Sequence, residues 1–200
     1  MLTPKQAEEI LRESEAMHPG RWGDHCRAVG DNAGCIARAA GLDPERAYVS
    51  GLMHDIGRRG GPGDMVHIFR GYDYMTELGQ PDIARICLTH SFPVKDSEVY
   101  HGTRDCTPAQ WAFLGRYLDS IRYDDYDLLI QLCDAISLPG GACLMEKRLI
   151  DVALRYGVSQ RTPDRWRAFL AAKKRFDRLC GRSIYALLEN VWENSLADLL

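Results

Sequence analysis

The chain has 200 residues, with 25 Lys and Arg against 28 Asp and Glu, six His and a formal net charge of -3. That length buries one full core, and no composition shift or low-complexity stretch suggests a second, so residues 1–200 are expected to form a single domain. The scattered basic residues lack the charge footprint of a nucleic-acid binder, and no stretch approaches the roughly 20 apolar residues of a membrane span, so neither is an expected partner.

Taken in chain order, Thr3-Pro4 opens the first predicted helix: the threonine caps it, and the proline lacks only an amide hydrogen that a first turn cannot use. Met1 to Ile10 carries Lys5, Glu8 and Glu9 rather than an apolar run, so a cytoplasmic protein is expected. A second helix is predicted from Asp24 to a stop at Gly41, and Asp43-Pro44 opens a third that stops at Gly57. Gly57 to Gly63 then reads as a glycine-rich loop carrying Arg58 and Arg59. Helices follow from Asp64 to Gly79 and from Pro81, before a second long loop, Ser91 to Cys106, with Lys95, His101 and Arg104. Thr107-Pro108, a start near Asp124, a stop at Gly140-Gly141, a start near Cys143, Thr162-Pro163, a stop at Gly181 and a start at Ser183 complete the pattern. Almost no segment keeps strict two-residue alternation, so an all-α fold without a sheet is expected.

The last stretch, 143–200, reads as amphipathic helices that complete the core, with Lys173-Lys174-Arg175 on a solvated face. Trp192, Leu196, Leu199 and Leu200 could form a homodimer surface. Seven cysteines without a C-x-x-C pair resemble reduced cytoplasmic thiols rather than a disulfide framework.

Six residues stand out, four of them on what helical spacing makes inward faces. His25 shares a face with Val29, Ala33 and Ile36; His90 follows Ile83, Ile86 and Cys87; and Asp134 continues Ile130 and precedes Leu138. His67 aligns with Gly71, Tyr74 and Leu78. His54 aligns with Ala47, Ser50 and Gly51, small residues that let a helix or an ion approach. Asp55 adjoins it. Singly, each is compatible with a hydrogen-bonded core residue, and Asp134 alone with a capping or ion-paired aspartate. Together, buried carboxylates among imidazoles call for a cation, and the nitrogen and oxygen donors suit zinc, iron, manganese or similar ions better than magnesium or calcium.

The stretch His25-Cys26-Arg27-Ala28-Val29, then Ala39-Ala40-Gly41-Leu42-Asp43-Pro44-Glu45-Arg46-Ala47, then Ser50-Gly51-Leu52-Met53-His54-Asp55-Ile56-Gly57-Arg58 resembles the opening of an HD-domain protein. The resemblance is best from Trp22 to Asp134, giving a core motif region of 22–137. It implies a helical bundle holding a metal through His25, the doublet His54-Asp55 and Asp134, with Asp124, Asp125 and Asp127 standing nearby as alternatives to the last. His67 and His90 resemble the extra histidines of members that hold two metals, where Asp55 would bridge the ions.

The resemblance further implies a metal-dependent phosphohydrolase acting on a phosphate ester or nucleotide, with one or two divalent ions drawn from Fe, Mn, Zn, Co or Ni. Asp55 and Arg58 would carry the chemistry, and Arg58, Arg59, Lys95 and Arg104 would bind a small phosphorylated substrate; a solvated role for these cations is the competing expectation. Two alternatives share the ligand set: a mixed-valent di-iron oxygenase cleaving a carbon bond in a polyol or phosphonate, and a non-catalytic regulatory HD module.

Overall fold

The computed structural model describes residues 1–197. It is all-α, with α1 Pro4–Met17, α2 Trp22–Ala40, α3 Pro44–Met53, α4 Val66–Glu77, α5 Pro81–Thr89, α6 Pro108–Ser120, α7 Asp125–Asp134, α8 Met145–Tyr156, α9 Thr162–Leu179 and α10 Val191–Leu196. The sheet ruled out from the sequence is present only as a hairpin of two residues per strand, β1 Ser137–Leu138 against β2 Gly141–Ala142. It is too short to register as alternation; its turn is Pro139-Gly140, and Gly141 of the predicted stop is the first residue of β2.

Several predicted caps are formed as read. Thr3 and Thr107 close reciprocal capping boxes with Gln6 and Gln110, Asp43 accepts from the Glu45 and Arg46 amides, and Asp124 accepts from Tyr126 and Asp127. Other boundaries differ: α2 starts at Trp22, ahead of Asp24, and α4 at Val66, beyond Asp64. Thr162 is the first helical residue of α9, behind Arg161, and its hydroxyl accepts upstream from the Ser159 amide. Ser183 precedes only a short 3-10 turn, 184–186, and the next helix starts at Val191. The third helix ends at Met53, and the chain re-enters a 3-10 turn at Ile56–Gly60, so much of the expected glycine-rich loop is ordered.

The core is assembled around α2, α3 and α7. α2 runs along α3, and α7 contacts α2, α3, α5 and α9. Their crossing is set by two glycines: a Cβ on Gly51 would lie 2.8 Å from the Gly30 Cα, so α2 and α3 meet backbone to backbone. The 56–60 turn is seated on α4 the same way, since a Cβ on Gly57 would lie 1.9 Å from the His67 carbonyl oxygen. Phe169, Ala172 and Phe176 of α9 join Val29, Ala33 and Ile36 of α2 in one buried cluster. Among the described residues no helix is long and apolar enough to cross a membrane. Trp192 and Leu196 are exposed on α10, while Leu199 and Leu200 lie outside the described residues.

Candidate metal centre

His25, on the buried face of α2, Asp134, the last residue of α7, and His54 and His90, the residues that end α3 and α5, arrive at one point. Asp55 follows His54, and His67 enters from the first turn of α4. Three groups of these side chains place one donor atom each within 4.8 Å of the others: His25, His54 and Asp55; His54, His90 and Asp134; and Asp55, His67 and His90. Asp55, His54 and His90 each belong to two of the groups, so the set is one continuous cluster. Asp124 and Asp127 lie towards the other end of α7, roughly 15 and 10 Å from Asp134 along the axis, and share Arg85 at 2.7 Å. Asp125 pairs with Arg175. None of the three reaches the cluster.

The histidines are oriented by main chain. His54 Nδ1 is 2.7 Å from the Gly51 carbonyl, His90 Nδ1 is 3.0 Å from that of Cys87, and His67 Nδ1 bonds the Asp64 carbonyl. A carbonyl can only accept, so each ring carries its proton on Nδ1 and turns the Nε2 lone pair inward. Asp55 Oδ1 lies 2.9 Å from His67 Nε2 and 3.5 Å from His90 Nε2, and those two nitrogens are 3.4 Å apart. His25 Nε2 is 3.0 Å from Asp134 Oδ1.

Two buried atoms in the middle, His54 Nε2 and Asp55 Oδ1, make no hydrogen bond. An acceptor lone pair facing other lone pairs is costly, and a divalent cation satisfies them together. The fit is therefore to a divalent metal. Helix geometry adds to it: the C-terminal ends of α3, α5 and α7, each carrying partial negative charge, converge on the cluster.

The electrostatics agree. Burial holds the His54 imidazole down at about 4 and lowers that of His67 too, keeping both neutral as ligands require. For Asp55 and Asp134 burial favours the acid, but it is outweighed for Asp55 by Arg58, His67 and His54, and for Asp134 by His25, His54 and His90. Both carboxyls sit well below the usual range. His90 is raised, since Asp55 outweighs its burial.

The cluster floors a cavity of about 410 Å³. Of the proposed substrate-binding residues, Arg58 lines it, with its Nε 2.5 Å from Asp55 Oδ2, so it holds the doublet carboxylate as well as facing the cavity. Arg59, Lys95 and Arg104 do not line it. Arg59 lies over the Tyr74 ring, Lys95 donates to the Ile121 carbonyl, and Arg104 pairs with Glu98 over Trp111. Local partners claim all three. The sequence reading missed Tyr100, Arg148 and Arg165, which do line the cavity, as does the loop residue His101.

A comparison with curated proteins and one with solved structures return no match. The family model described as HD domain matches residues 22–138, the stretch that contains every residue of the cluster. That span is more than half of the chain, and the protein belongs to the HD domain family.

Proposed function

We propose that the protein is a metal-dependent phosphohydrolase acting on a small phosphorylated molecule, with nucleotides among the candidates, and that His25, His54, Asp55, His67, His90 and Asp134 would hold two divalent ions, with Asp55 a donor common to both groups. The observation that carries this reading is the continuity of the cluster: Asp55 is shared between the His25–His54 and the His67–His90 groups, and both open onto a cavity with five arginines in its lining. A divalent ion bound there would lower the pKa of a coordinated water towards ~7 and polarise a phosphoryl oxygen. Asp55, anchored by Arg58, is the carboxylate placed to orient the attacking water, and Arg58 keeps guanidinium hydrogens for a phosphate oxygen. Neither nucleic acid nor membrane is a partner in this reading, and the seven free cysteines support a reducing, cytoplasmic setting.

Protein loaded with manganese, cobalt, zinc, nickel or iron should contain two ions per chain by elemental analysis and release phosphate from members of a panel of phosphomonoesters and nucleotides. Metal retention without phosphate release from any of them would refute the assignment. The wealth of imidazole, four rings to two carboxylates, also suits iron and favours one rival, a mixed-valent di-iron oxygenase acting on a polyol or phosphonate. Iron quantitation with electron paramagnetic resonance after aerobic purification separates the two: a silent, iron-free and hydrolytic sample removes the oxygenase.

A further inference from the structure

Arg165 is the anomaly of the C-terminal third. In α9 it continues the buried seam of Thr162, Phe169, Ala172 and Phe176, at spacings of three and four, yet it is the most polar of side chains. Its Nε is shielded from solvent and makes no hydrogen bond, and among the described residues it forms no ion pair. Its guanidinium lies 5.4 Å from the centre of the Phe169 ring. It lines the cavity together with His25, Asp55 and Asp134.

Other guanidiniums of that lining have carboxylate partners: Arg58 has Asp55, and Arg148 and Arg155 share Asp151. Asp134 is the anion acting most strongly on Arg165, but it is 3.0 Å from His25 and belongs to the metal cluster, where a bound cation would take up its charge. Five arginines face four aspartates in this lining, and two of those aspartates, Asp55 and Asp134, are committed to the cluster. With a cation taking up the charge of the cluster, the α8–α9 side of the cavity would be left cationic. An unpaired buried arginine costs stability and persists where a ligand supplies the missing anion.

We propose that Arg165, assisted by Arg148, forms an anion subsite on the α8–α9 wall, and that it takes a second acidic group, phosphate or carboxylate, on the non-reacting end of the substrate. The substrate class is then a small molecule with two separated anionic groups. This deepens the phosphohydrolase reading and rests on it for which group reacts, whereas the subsite itself does not require turnover. Both arginines lie outside residues 22–138, so the family-matched stretch supplies the reacting centre and the C-terminal helices supply selectivity.

The test is calorimetric titration of inorganic phosphate into the full-length, metal-loaded protein. Wild type is expected to bind two equivalents, one at the metals and one at the subsite. Arg165→Met should bind one, or the second at least about tenfold more weakly, with unchanged metal content, and Arg165→Lys should fall between. The thermal midpoint of Arg165→Met should stay level or rise, since an unpaired charge has been removed. Identical phosphate binding in wild type and Arg165→Met, or a fall in that midpoint, would overturn the subsite. Competition sorts its ligand: displacement of the second phosphate by acetate assigns a carboxylate-tailed substrate, and resistance to acetate assigns a phosphate-tailed one. If the Arg165-dependent equivalent is present while no phosphate ester is hydrolysed, the phosphohydrolase reading fails and the subsite stands.

Discussion

At the scale of single residues, the shared carboxylate decides how many ions the site can hold. Asp55→Ala removes a donor from two of the three groups, so it should lose both ions and at least about 100-fold in activity. His67→Ala touches one group only and should leave a folded protein with one ion per chain, measured by elemental analysis. Acid sensitivity should also originate here. In the metal-free protein His54 is held at about 4 against 6.5 unfolded, so the unfolded chain takes up the proton first. Its contribution is intact above 6.5 and is lost as pH falls towards 4, on the order of 3 kcal/mol for a fully buried ring, with His67 acting in the same direction. His90, raised rather than lowered, acts in the opposite direction, its contribution being present below 6.5 and lost as pH rises. Urea midpoints of metal-free protein at pH 7 and pH 5 should therefore differ, and metal should shrink the difference.

These residues were legible because charge stood where the helical register required an apolar side chain. The same logic reaches Arg165, whose place in the α9 seam was readable but hidden in a stretch taken for core. Arg59, Lys95 and Arg104 show the converse. A loop cation looks available until its partner is known, and the Tyr74 ring, the Ile121 carbonyl and Glu98 come from segments whose proximity only the fold creates.

At the scale of elements, the closest helix crossing is also the one that positions the metal ligands. Gly51→Ala would drive a methyl into the Gly30 backbone and push α2 from α3, which carry His25 and lead into His54. It should cost at least about 2 kcal/mol and reduce metal content together with the thermal midpoint. Thr107→Ala removes a cap from α6, which supplies no ligand; a loss of about 1 kcal/mol with full metal content is expected from the same measurements. Cap chemistry is local, which is why Thr3, Asp43 and Thr107 could be placed from sequence. Thr162 could not, because its hydroxyl turns back to the Ser159 amide, a choice made by the preceding turn and not by the Thr-Pro pair.

At the scale of the whole molecule, the C-terminal helices complete both the core and the cavity. Phe176 is fully buried with Val29 and Ile36, so Phe176→Ala should cost about 3–5 kcal/mol by chemical denaturation although it touches no ligand. The all-α class followed from periodicity, and the bundle from the resemblance carried by residues near His25 and His54-Asp55. The wall formed by α8 and α9 did not follow from either, because which faces meet across a cavity depends on contacts remote in sequence.

Three of the rings take their orientation from a carbonyl three residues earlier in their own chain: Gly51 for His54, Asp64 for His67 and Cys87 for His90. No second side chain has to be present for such a histidine to face inward correctly. In evolutionary terms each of these ligands is a single-codon decision, open to gain or loss without a compensating change elsewhere. The His25–Asp134 contact spans two helices and needs both members at once. The two halves of the centre thus differ in how easily they can be rewritten, and the His67–His90 half is the one that descent can switch on or off one residue at a time.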